Sequence, residues 1–326
     1  MMIKILITMG DPAGIGPEII TKTLSRYIPS GTRIFLVGAI SPFVKLADRF
    51  YWAKKFLERL DRGEIDFVSA AEEVEYPVGV VNDVCGKASF MSLLRAIELI
   101  KNGHGEALVT APVSKKAITL CGEKFSGHTE MLAQSFDSKV TMLLFDQRIR
   151  VGLVSTHVPL SEVASYIDEE RILGHIIRIN HGLVSFFGVK EPIIGVLGLN
   201  PHAGEAGEFG KEEETIKKAL DAASNIGIRV VGPLVPDTAF LAVQRRRFDA
   251  YLAMYHDQGL IPLKTLGFYY GVNLTLGLPF VRTSPDHGTA MDIAGKGIAN
   301  PLSFINALRY AAFFAKKLIE RRNYEK

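Results

Sequence analysis

Short apolar runs alternate with amphipathic segments along most of the chain. Runs rich in Val, Ile and Leu predict buried strands at residues 4–8, 33–38, 65–68, 107–111, 140–145, 149–156, 193–199, 230–234, 250–255 and 272–276. The segments between them predict helices near 17–27, 41–60, 87–102, 129–136, 168–187, 211–227, 238–247 and 301–323. Such alternation is typical of an α/β fold with a mostly parallel sheet flanked by helices, an α/β/α arrangement.

Three of the predicted strands are followed closely by a histidine. These are His157, His202 and His256. Ligands of open α/β sheets bind outside the carboxyl ends of the strands, so these imidazoles could meet at one rim of the sheet. Three imidazoles with an open fourth position form a common catalytic metal site. The pattern therefore predicts a metal-assisted enzyme, although each histidine alone is more often an ordinary polar side chain.

Two glycine-rich segments indicate backbone that a ligand can approach closely. Gly10–Glu18, with Gly14 and Gly16, joins a predicted strand to a helix and exposes a helix N-terminus to anions. Simple loop geometry explains this segment equally well. Asp286–Pro301 is a long run of small residues before the last helix, with room for a flat ring and backbone N–H groups for a nucleotide.

Polar side chains suited to an anion occur in two further places. His128 and Thr129 open a predicted helix, where they could donate hydrogen bonds to an anion, or Thr129 could simply cap the helix. Lys264, Asn273 and Arg282 follow His256 and its neighbour Asp257 at nine-residue intervals. Two cations and an amide suit a phosphate or a carboxylate.

Composition narrows the class of protein. The 326 residues carry a formal net charge of only +3, without a basic block before the C-terminal segment, so nucleic acid is not predicted as a partner. No run reaches the roughly 18 apolar residues of a membrane span, and the apolar start is too short for a signal peptide. Two cysteines cannot form a disulfide framework, which favours a reducing cytoplasm.

Taken together and in order, these motifs resemble one enzyme family. GDPAGIGPE, GHTE, STH, NPHAGE, PDT, YHDQG, VNLTLGLPFVRTS and DHGTAMDIAGKG look like the PdxA family of 4-hydroxythreonine-4-phosphate dehydrogenases, over residues 4 to about 308. GIGPE and HGTAMDIAGKGIANP also resemble nucleotide-site loops of isopropylmalate and isocitrate dehydrogenases. The resemblance implies an isopropylmalate dehydrogenase-like fold of two subdomains with a cleft between them. We expect residues 1–125 with 275–326 to bind the nucleotide and residues 126–274 to bind the metal and form the dimer.

The resemblance also assigns roles to individual residues. It implies one divalent ion, zinc, magnesium or cobalt, on His157, His202 and His256, with ligands from two subunits of a homodimer that shares its active sites. It implies substrate contacts, largely to a phosphate, from His128, Thr129, Lys264, Asn273 and Arg282. Asp237 and Asp257 are expected to keep the site in order, and with Lys264 they complete the predicted catalytic set. NAD is expected along the glycine-rich segments, on Gly14, Gly16, His287, Gly288, Thr289, Asp292, Ile293 and Asn300.

The implied reaction is the NAD-dependent oxidation of 4-phosphohydroxy-L-threonine at its C3 hydroxyl. Decarboxylation to 3-amino-2-oxopropyl phosphate, in vitamin B6 synthesis, would follow. A sister enzyme that oxidises D-erythronate or D-threonate 4-phosphate fits the same residues. A protein of another class, a phosphate-metabolite sensor or an acyltransferase on this fold, is a third alternative, and a complete histidine set counts against it. Pro236 and Pro285 depart from the usual family pattern without affecting these expectations.

Overall fold

The computed structural model describes residues 2–324, which include eleven β-strands. They are β1 Ile3–Thr8, β2 Thr32–Gly38, β3 Ile65–Ser69, β4 Ala107–Thr110, β5 Thr141–Phe145, β6 Arg150–Leu153, β7 Ile193–Leu197, β8 Arg229–Leu234, β9 Ala250–Ala253, β10 Val272–Leu276 and β11 Val281–Pro285. Ten of them coincide with the predicted apolar runs, and β11 was not predicted. Met1, Glu325 and Lys326, which the first predicted subdomain includes, lie outside the described residues.

Twelve α-helices occur in the same described range. They are α1 Gly16–Leu24, α2 Ser41–Ala47, α3 Tyr51–Asp61, α4 Asp83–Lys101, α5 Lys115–Leu120, α6 His128–Ser135, α7 Glu169–Gly182, α8 Glu212–Asn225, α9 Pro236–Ala239, α10 Ala242–Arg245, α11 His256–Gly267 and α12 Leu302–Tyr324. Short 3₁₀ segments cover Leu160–Tyr166 and Pro201–Gly207, and a π-turn at Leu183–Phe187 extends α7. No helix in residues 2–324 is long and apolar enough to cross a membrane.

The chain forms two compact units. Unit 1 consists of Met1–Ser138 and Leu278–Lys326, and unit 2 is the continuous segment Lys139–Gly277. Both ends of the described range, residues 2 and 324, therefore belong to unit 1. The first boundary expected from the sequence, 125/126, precedes the observed boundary at 138/139, because α6 belongs to unit 1. The second expected boundary, 274/275, precedes the observed one at 277/278 by a few residues.

Unit 1 contains a parallel sheet with the strand order β3-β2-β1-β4-β11. Ile5, Leu6 and Ile7 are successive residues of β1 and all are fully buried. Side chains of successive strand residues point to opposite faces, so both faces of this sheet are covered, as expected for parallel strands. Helix α4 packs against β1 and β2, and α12 packs against β11 and β4.

Unit 2 contains strands in the order β10-β5-β6-β9-β7-β8. The first two pairings, β10 with β5 and β5 with β6, are antiparallel, and the remaining three are parallel. Helices α7 and α11 pack against these strands. The predicted α/β architecture with mostly parallel strands is confirmed.

Two elements that carry candidate site residues were not predicted. Strand β11 is only five residues long and contains three polar residues, Arg282, Thr283 and Ser284, followed by Pro285, so it lacks an apolar run. Helix α11 contains Pro262, which normally interrupts a helix, and begins with His256 and Asp257, which suggest a polar loop. In the structure β11 is buried along its whole length, and it gains its stability from pairing with β4.

Candidate active site

The first glycine-rich segment packs directly against the second. The backbone N–H of Ile15 donates to the carbonyl of Thr289 at 2.9 Å. A Cβ on Gly14 would lie 2.8 Å from the same carbonyl oxygen, and a Cβ on Gly16 would lie 2.6 Å from the carbonyl oxygen of Met9. Glycine is thus required at both positions by contacts within unit 1. The predicted contact of Gly14 and Gly16 with a cofactor stays a prediction.

Glu18 and Lys22 of α1 hold the far end of the second segment. The buried carboxylate of Glu18 accepts hydrogen bonds from the backbone N–H of Ala299 at 2.8 Å and of Gly297 at 3.2 Å. Lys22 Nζ lies 2.8 Å from Glu18 and donates to the Gly297 carbonyl at 2.9 Å. The GIGPE sequence therefore has a clear structural use, because it fixes the conformation of the loop that precedes α12.

The residues predicted to bind the cofactor lie on or near this loop. Gly288, Asp292 and Asn300 are exposed, whereas His287, Thr289 and Ile293 are half-buried. The side-chain oxygen of Asn300 accepts from the backbone N–H of Leu302 at 3.0 Å, so it stabilises the start of α12. A cavity of about 900 Å³ in unit 1 is lined by Gly14 and by Ala294–Lys296 of the loop, among other residues. This volume is in the range of small-molecule sites.

A polar pocket in unit 1 surrounds the start of α6 and the middle of β11. Arg282 is 3% exposed, and its Nη2 donates to the hydroxyl of Thr110 at 2.7 Å. Thr129 is buried as well. His128 Nε2 is buried without a hydrogen-bond partner among the described residues. A buried nitrogen of this kind costs free energy unless a ligand or water satisfies it.

Burial lowers the pKa of the two ionisable residues Arg282 and His128 in this pocket. Burial lowers the pKa of Arg282 to about 10, and the carboxylate of Glu130 partly opposes this change. Burial also holds the pKa of His128 well below its usual 6.5, and the positive charges of Arg282 and Lys115 lower it further. At neutral pH Arg282 is therefore charged and His128 is neutral, so the imidazole can offer one N–H donor.

The two other predicted substrate residues, Lys264 and Asn273, belong to unit 2. Lys264 lies in the last turn of α11 and is half-buried. Asn273 lies on β10, where its Oδ1 is buried without a hydrogen-bond partner in the described chain. As with His128, a buried polar atom that lacks a partner suggests a ligand.

His157 and His256 lie close together because their strands are neighbours. His157 follows β6, and His256 begins α11 directly after β9. Strands β6 and β9 are parallel, so their carboxyl ends meet, and the two ring centroids are 6.0 Å apart. Nδ1 of His256 lies 2.7 Å from Oδ1 of Asp257. Metal-binding histidines commonly use one ring nitrogen for a carboxylate and the other for the metal.

His202 lies on a backbone segment of unusual conformation. Five consecutive residues, 202–206, have positive φ values between 42° and 82°, and only one of them is glycine. Left-handed backbone costs roughly 1–2 kcal/mol for each residue other than glycine, and such strain concentrates at functional sites. Nδ1 of His202 lies 3.0 Å from Oε2 of Glu205. His202 and Glu205 thus form a second histidine–carboxylate pair, like that of His256 and Asp257.

The single described chain does not bring the three histidines together. Within residues 2–324 no group of three or more His, Cys, Asp or Glu side chains is arranged to hold a metal ion. The side chains of His202 and His256 are 66% and 37% exposed, so both are accessible. Asp237 is exposed in the first turn of α9. The predicted three-histidine ligand set, which by resemblance draws on two subunits, stays a prediction.

Comparison with known proteins gives a consistent assignment. A sequence profile described as "Pyridoxal phosphate biosynthetic protein PdxA" matches residues 42–311. The chain is 41% identical to 4-hydroxythreonine-4-phosphate dehydrogenase of Desulforapulum autotrophicum, over 95% of this chain and 94% of the relative. The chain belongs to the PdxA family.

Two further members of the family show its range. A protein of Oceanobacillus iheyensis with the provisional name D-threonate 4-phosphate dehydrogenase is 43% identical, over 94% of this chain and 96% of the relative. The crystal structure of 4-hydroxythreonine-4-phosphate dehydrogenase from Klebsiella pneumoniae has a TM-score of 0.78 at 36% identity, over 96% of this chain and 99% of that one. The predicted family, fold class and oxidoreductase class are therefore confirmed for this PdxA protein.

Three charged residues of this PdxA chain have roles in the structure that the sequence interpretation did not assign. Glu18 fixes the loop before α12, Glu205 pairs with His202, and Lys115 acts on His128. Glu205 follows His202 by three residues in NPHAGE, so the motif itself contained a signal. Lys115 stands in the short helix α5, whose proximity to α6 only the folded chain reveals.

Proposed function

We propose that this protein oxidises 4-phosphohydroxy-L-threonine at its C3 hydroxyl with NAD and then decarboxylates the product to 3-amino-2-oxopropyl phosphate. The names of its relatives support this reaction. The observation that carries the proposal is the polar pocket of unit 1, where the buried guanidinium of Arg282 and the buried Nε2 of His128 are suited to bind an anion. The reaction belongs to pyridoxal phosphate synthesis, as the description of the family profile states for the family.

The phosphate of the substrate is bound in unit 1 by Arg282, His128 and Thr129. Arg282 supplies a charge and N–H donors that match phosphate oxygens, and its bond to Thr110 fixes the guanidinium. The first-turn N–H groups of α6 lack intrahelical acceptors and favour an anion. Lys264 and Asn273 of unit 2 complete the substrate set.

His157, His202 and His256 fit a divalent ion such as zinc, magnesium or cobalt. The fit rests on two histidine–carboxylate pairs, in which Nδ1 faces Asp257 or Glu205 and leaves Nε2 for a ligand. When bound, the ion supplies Lewis-acid polarisation of substrate oxygen atoms. Such help is needed because deprotonating an alcohol with a pKa near that of water, about 15.7, costs about 11 kcal/mol at neutral pH.

The chemistry consists of two steps whose electrons balance. Bound NAD would accept the C3 hydrogen as hydride, and the hydroxyl proton would pass to a base, which gives a ketone. The carboxylate then leaves as CO₂, the electron pair of the broken bond remains on C2, and a proton adds there. Lys264, Asp237 and Asp257 are the chain's candidates for the catalytic proton transfers, and a water molecule is the alternative base. Asp257 also orients His256.

The cofactor is NAD, bound in unit 1 along the loop that contains His287, Gly288, Thr289, Asp292, Ile293 and Asn300. A Cβ added to Gly288 would meet nothing within 4 Å, so a ligand can approach the backbone there, and the 900 Å³ cavity opens beside Gly14. Asp292 is exposed. Its carboxylate can accept from ribose hydroxyls and would repel the 2′-phosphate of NADP.

The active unit is a cytoplasmic homodimer whose subunits share the metal site. Two observations support the dimer. The described chain pairs only His157 with His256, and His202 is exposed. In addition, unit 2 exposes large apolar side chains at Leu241, Val243, Ile261 and Phe268, the kind of surface that a partner subunit covers.

The test is NADH formation by protein reconstituted with zinc, magnesium or cobalt. 4-Phosphohydroxy-L-threonine is compared with D-erythronate and D-threonate 4-phosphate, each with NAD and with NADP. We expect the highest kcat/KM with the amino acid substrate and NAD. The name of the Oceanobacillus relative favours the second candidate, D-threonate 4-phosphate oxidation, and a preference for that substrate would move the protein there. If none of the three substrates leads to reduction of NAD or NADP, the sensor or acyltransferase class remains as the alternative.

A further inference from the structure

We propose that Lys115 binds the substrate phosphate as the second cation of the polar pocket in unit 1. The inference rests on the proposed function, because it deepens the assignment of that pocket. No sequence motif pointed to Lys115, whose role follows from its place in the fold and from the charges around it.

Three contacts fix the backbone around Lys115. It is the first residue of α5, immediately after Ser114, whose hydroxyl accepts from the backbone N–H of Ala117 at 3.2 Å. The buried carboxylate of Asp11 accepts a hydrogen bond from the backbone N–H of Ala13 at 2.9 Å and lies near the backbone N–H of Ser114. Gly86 of α4 touches the backbone of Ala117 so closely that no side chain fits between the two helices. Helix α5 is therefore held firmly in place.

From this fixed backbone the side chain of Lys115 extends so that its ammonium group lies near the start of α6. Lys115 Nζ lies 3.5 Å from the point at which a Cβ on Gly127 would sit, and Gly127 is the residue that precedes α6. The side chain of Glu130 folds back to the same point. The positive charge of Lys115 also acts on His128, together with that of Arg282. Lys115, His128 and Arg282 thus surround one small volume.

The charges in this volume show why a second cation is needed. Arg282 and Glu130 interact and formally cancel, and His128 is neutral at pH 7. A phosphate monoester carries a charge of about −1.5 to −2 at that pH. Without Lys115, Arg282, Glu130 and His128 together would offer this group donors but no net positive charge. Lys115 restores a positive pocket beside the buried, unpartnered Nε2 of His128.

The first experiment measures binding of inorganic phosphate to the full-length protein by titration calorimetry at low salt. Wild type is compared with Lys115→Ala, with Lys115→Arg, which keeps the charge, and with Lys116→Ala, which removes the adjacent lysine, exposed like Lys115. We expect Lys115→Ala to weaken binding at least 10-fold, and Lys115→Arg and Lys116→Ala to stay within about 3-fold of wild type. Equal losses for Lys115→Ala and Lys116→Ala would overturn the proposal, as would wild-type affinity in Lys115→Ala.

Steady-state kinetics give a second, independent measurement, made with whichever of the three phosphorylated substrates the protein oxidises. Lys115→Ala should raise the KM for the phosphorylated substrate about 10-fold, with kcat and the KM for NAD within about 3-fold of wild type. An unchanged substrate KM would overturn the role of Lys115. If phosphate binding depends on Lys115 while none of the three substrates is oxidised, the proposed reaction fails and the phosphate site stands, so the two failures are distinguishable.

Discussion

The polar pocket of unit 1 and the histidines of unit 2 are built in opposite ways. In unit 1, Arg282 and Thr129 are buried, and Arg282 is tied to Thr110 before any ligand arrives. In unit 2, His157 and His202 are exposed, and the described chain does not close a metal site around them. A preformed pocket spends little free energy on reorganisation when its ligand binds. The proposed phosphate site of unit 1 is therefore preformed in the described chain, whereas the proposed metal site is not.

The two regions also differ in what reveals them. A buried nitrogen without a partner, as in His128, points to a ligand directly because leaving it unsatisfied is costly. An exposed histidine gives no such signal. For His202 the signal is instead the strained left-handed backbone and the carboxylate of Glu205. Buried orphan atoms and strained backbone are thus complementary indicators of function.

The largest expected effect is that of removing one histidine of unit 2. His202→Ala should abolish turnover, by a factor of about 10³ or more, while the protein stays folded, because one of three ligands is lost. Metal content per subunit, measured by mass spectrometry, should fall together with the rate. His104→Ala, an exposed histidine of unit 1, is the matched control and should behave as wild type. Full metal content and a wild-type rate in His202→Ala would refute the metal site.

A smaller effect is expected from removing the buried arginine of unit 1. Arg282→Ala should raise the KM for the phosphorylated substrate about 10- to 100-fold, because a charge-assisted hydrogen bond contributes roughly 1.5–3 kcal/mol. Metal content should stay at its wild-type value, which separates the two regions experimentally. Arg26→Ala removes an exposed arginine of the same unit and serves as the control. If only the KM for NAD rises, Arg282 belongs to the cofactor site instead.

Much of the fold followed from the sequence because buried parallel strands leave continuous apolar runs, as in β1 and β4. The strand that positions Arg282 was missed since β11 depends on pairing with β4 rather than on its own pattern. Helix α11 was missed because Pro262 is tolerated inside it. Family motifs supplied the candidate residues, whereas Lys115 required the three-dimensional proximity of α5 and α6.

The smallest effect concerns stability, and it involves a histidine of unit 2 that is buried rather than exposed. His175 is 8% exposed, and its Nδ1 lies 2.8 Å from the hydroxyl of Thr141, which accepts from Arg178 Nε. Burial, aided by the charges of Arg178 and Arg171, lowers the pKa of His175 to about 3. Between pH 6.5 and 3 the unfolded chain therefore binds a proton that the folded chain does not, so acid destabilises the protein.

Removing this histidine should flatten the acid side of the stability profile. At 1.36 kcal/mol per pH unit below 6.5, wild type should lose up to about 2 kcal/mol of unfolding free energy at pH 5 through His175. His175→Gln should not show this loss, although it is less stable at pH 7 because the packing and the bond to Thr141 change. Burial lowers the pKa of His128 and raises that of Asp11 to about 6, but both proteins share these groups, so their effects cancel in the difference. Urea unfolding at pH 7, 6 and 5 measures this difference between the two proteins, and parallel profiles would show that folding does not lower the pKa of His175. Convergence of the two profiles at low pH would instead show that His175 stabilises the folded protein only while its imidazole is neutral.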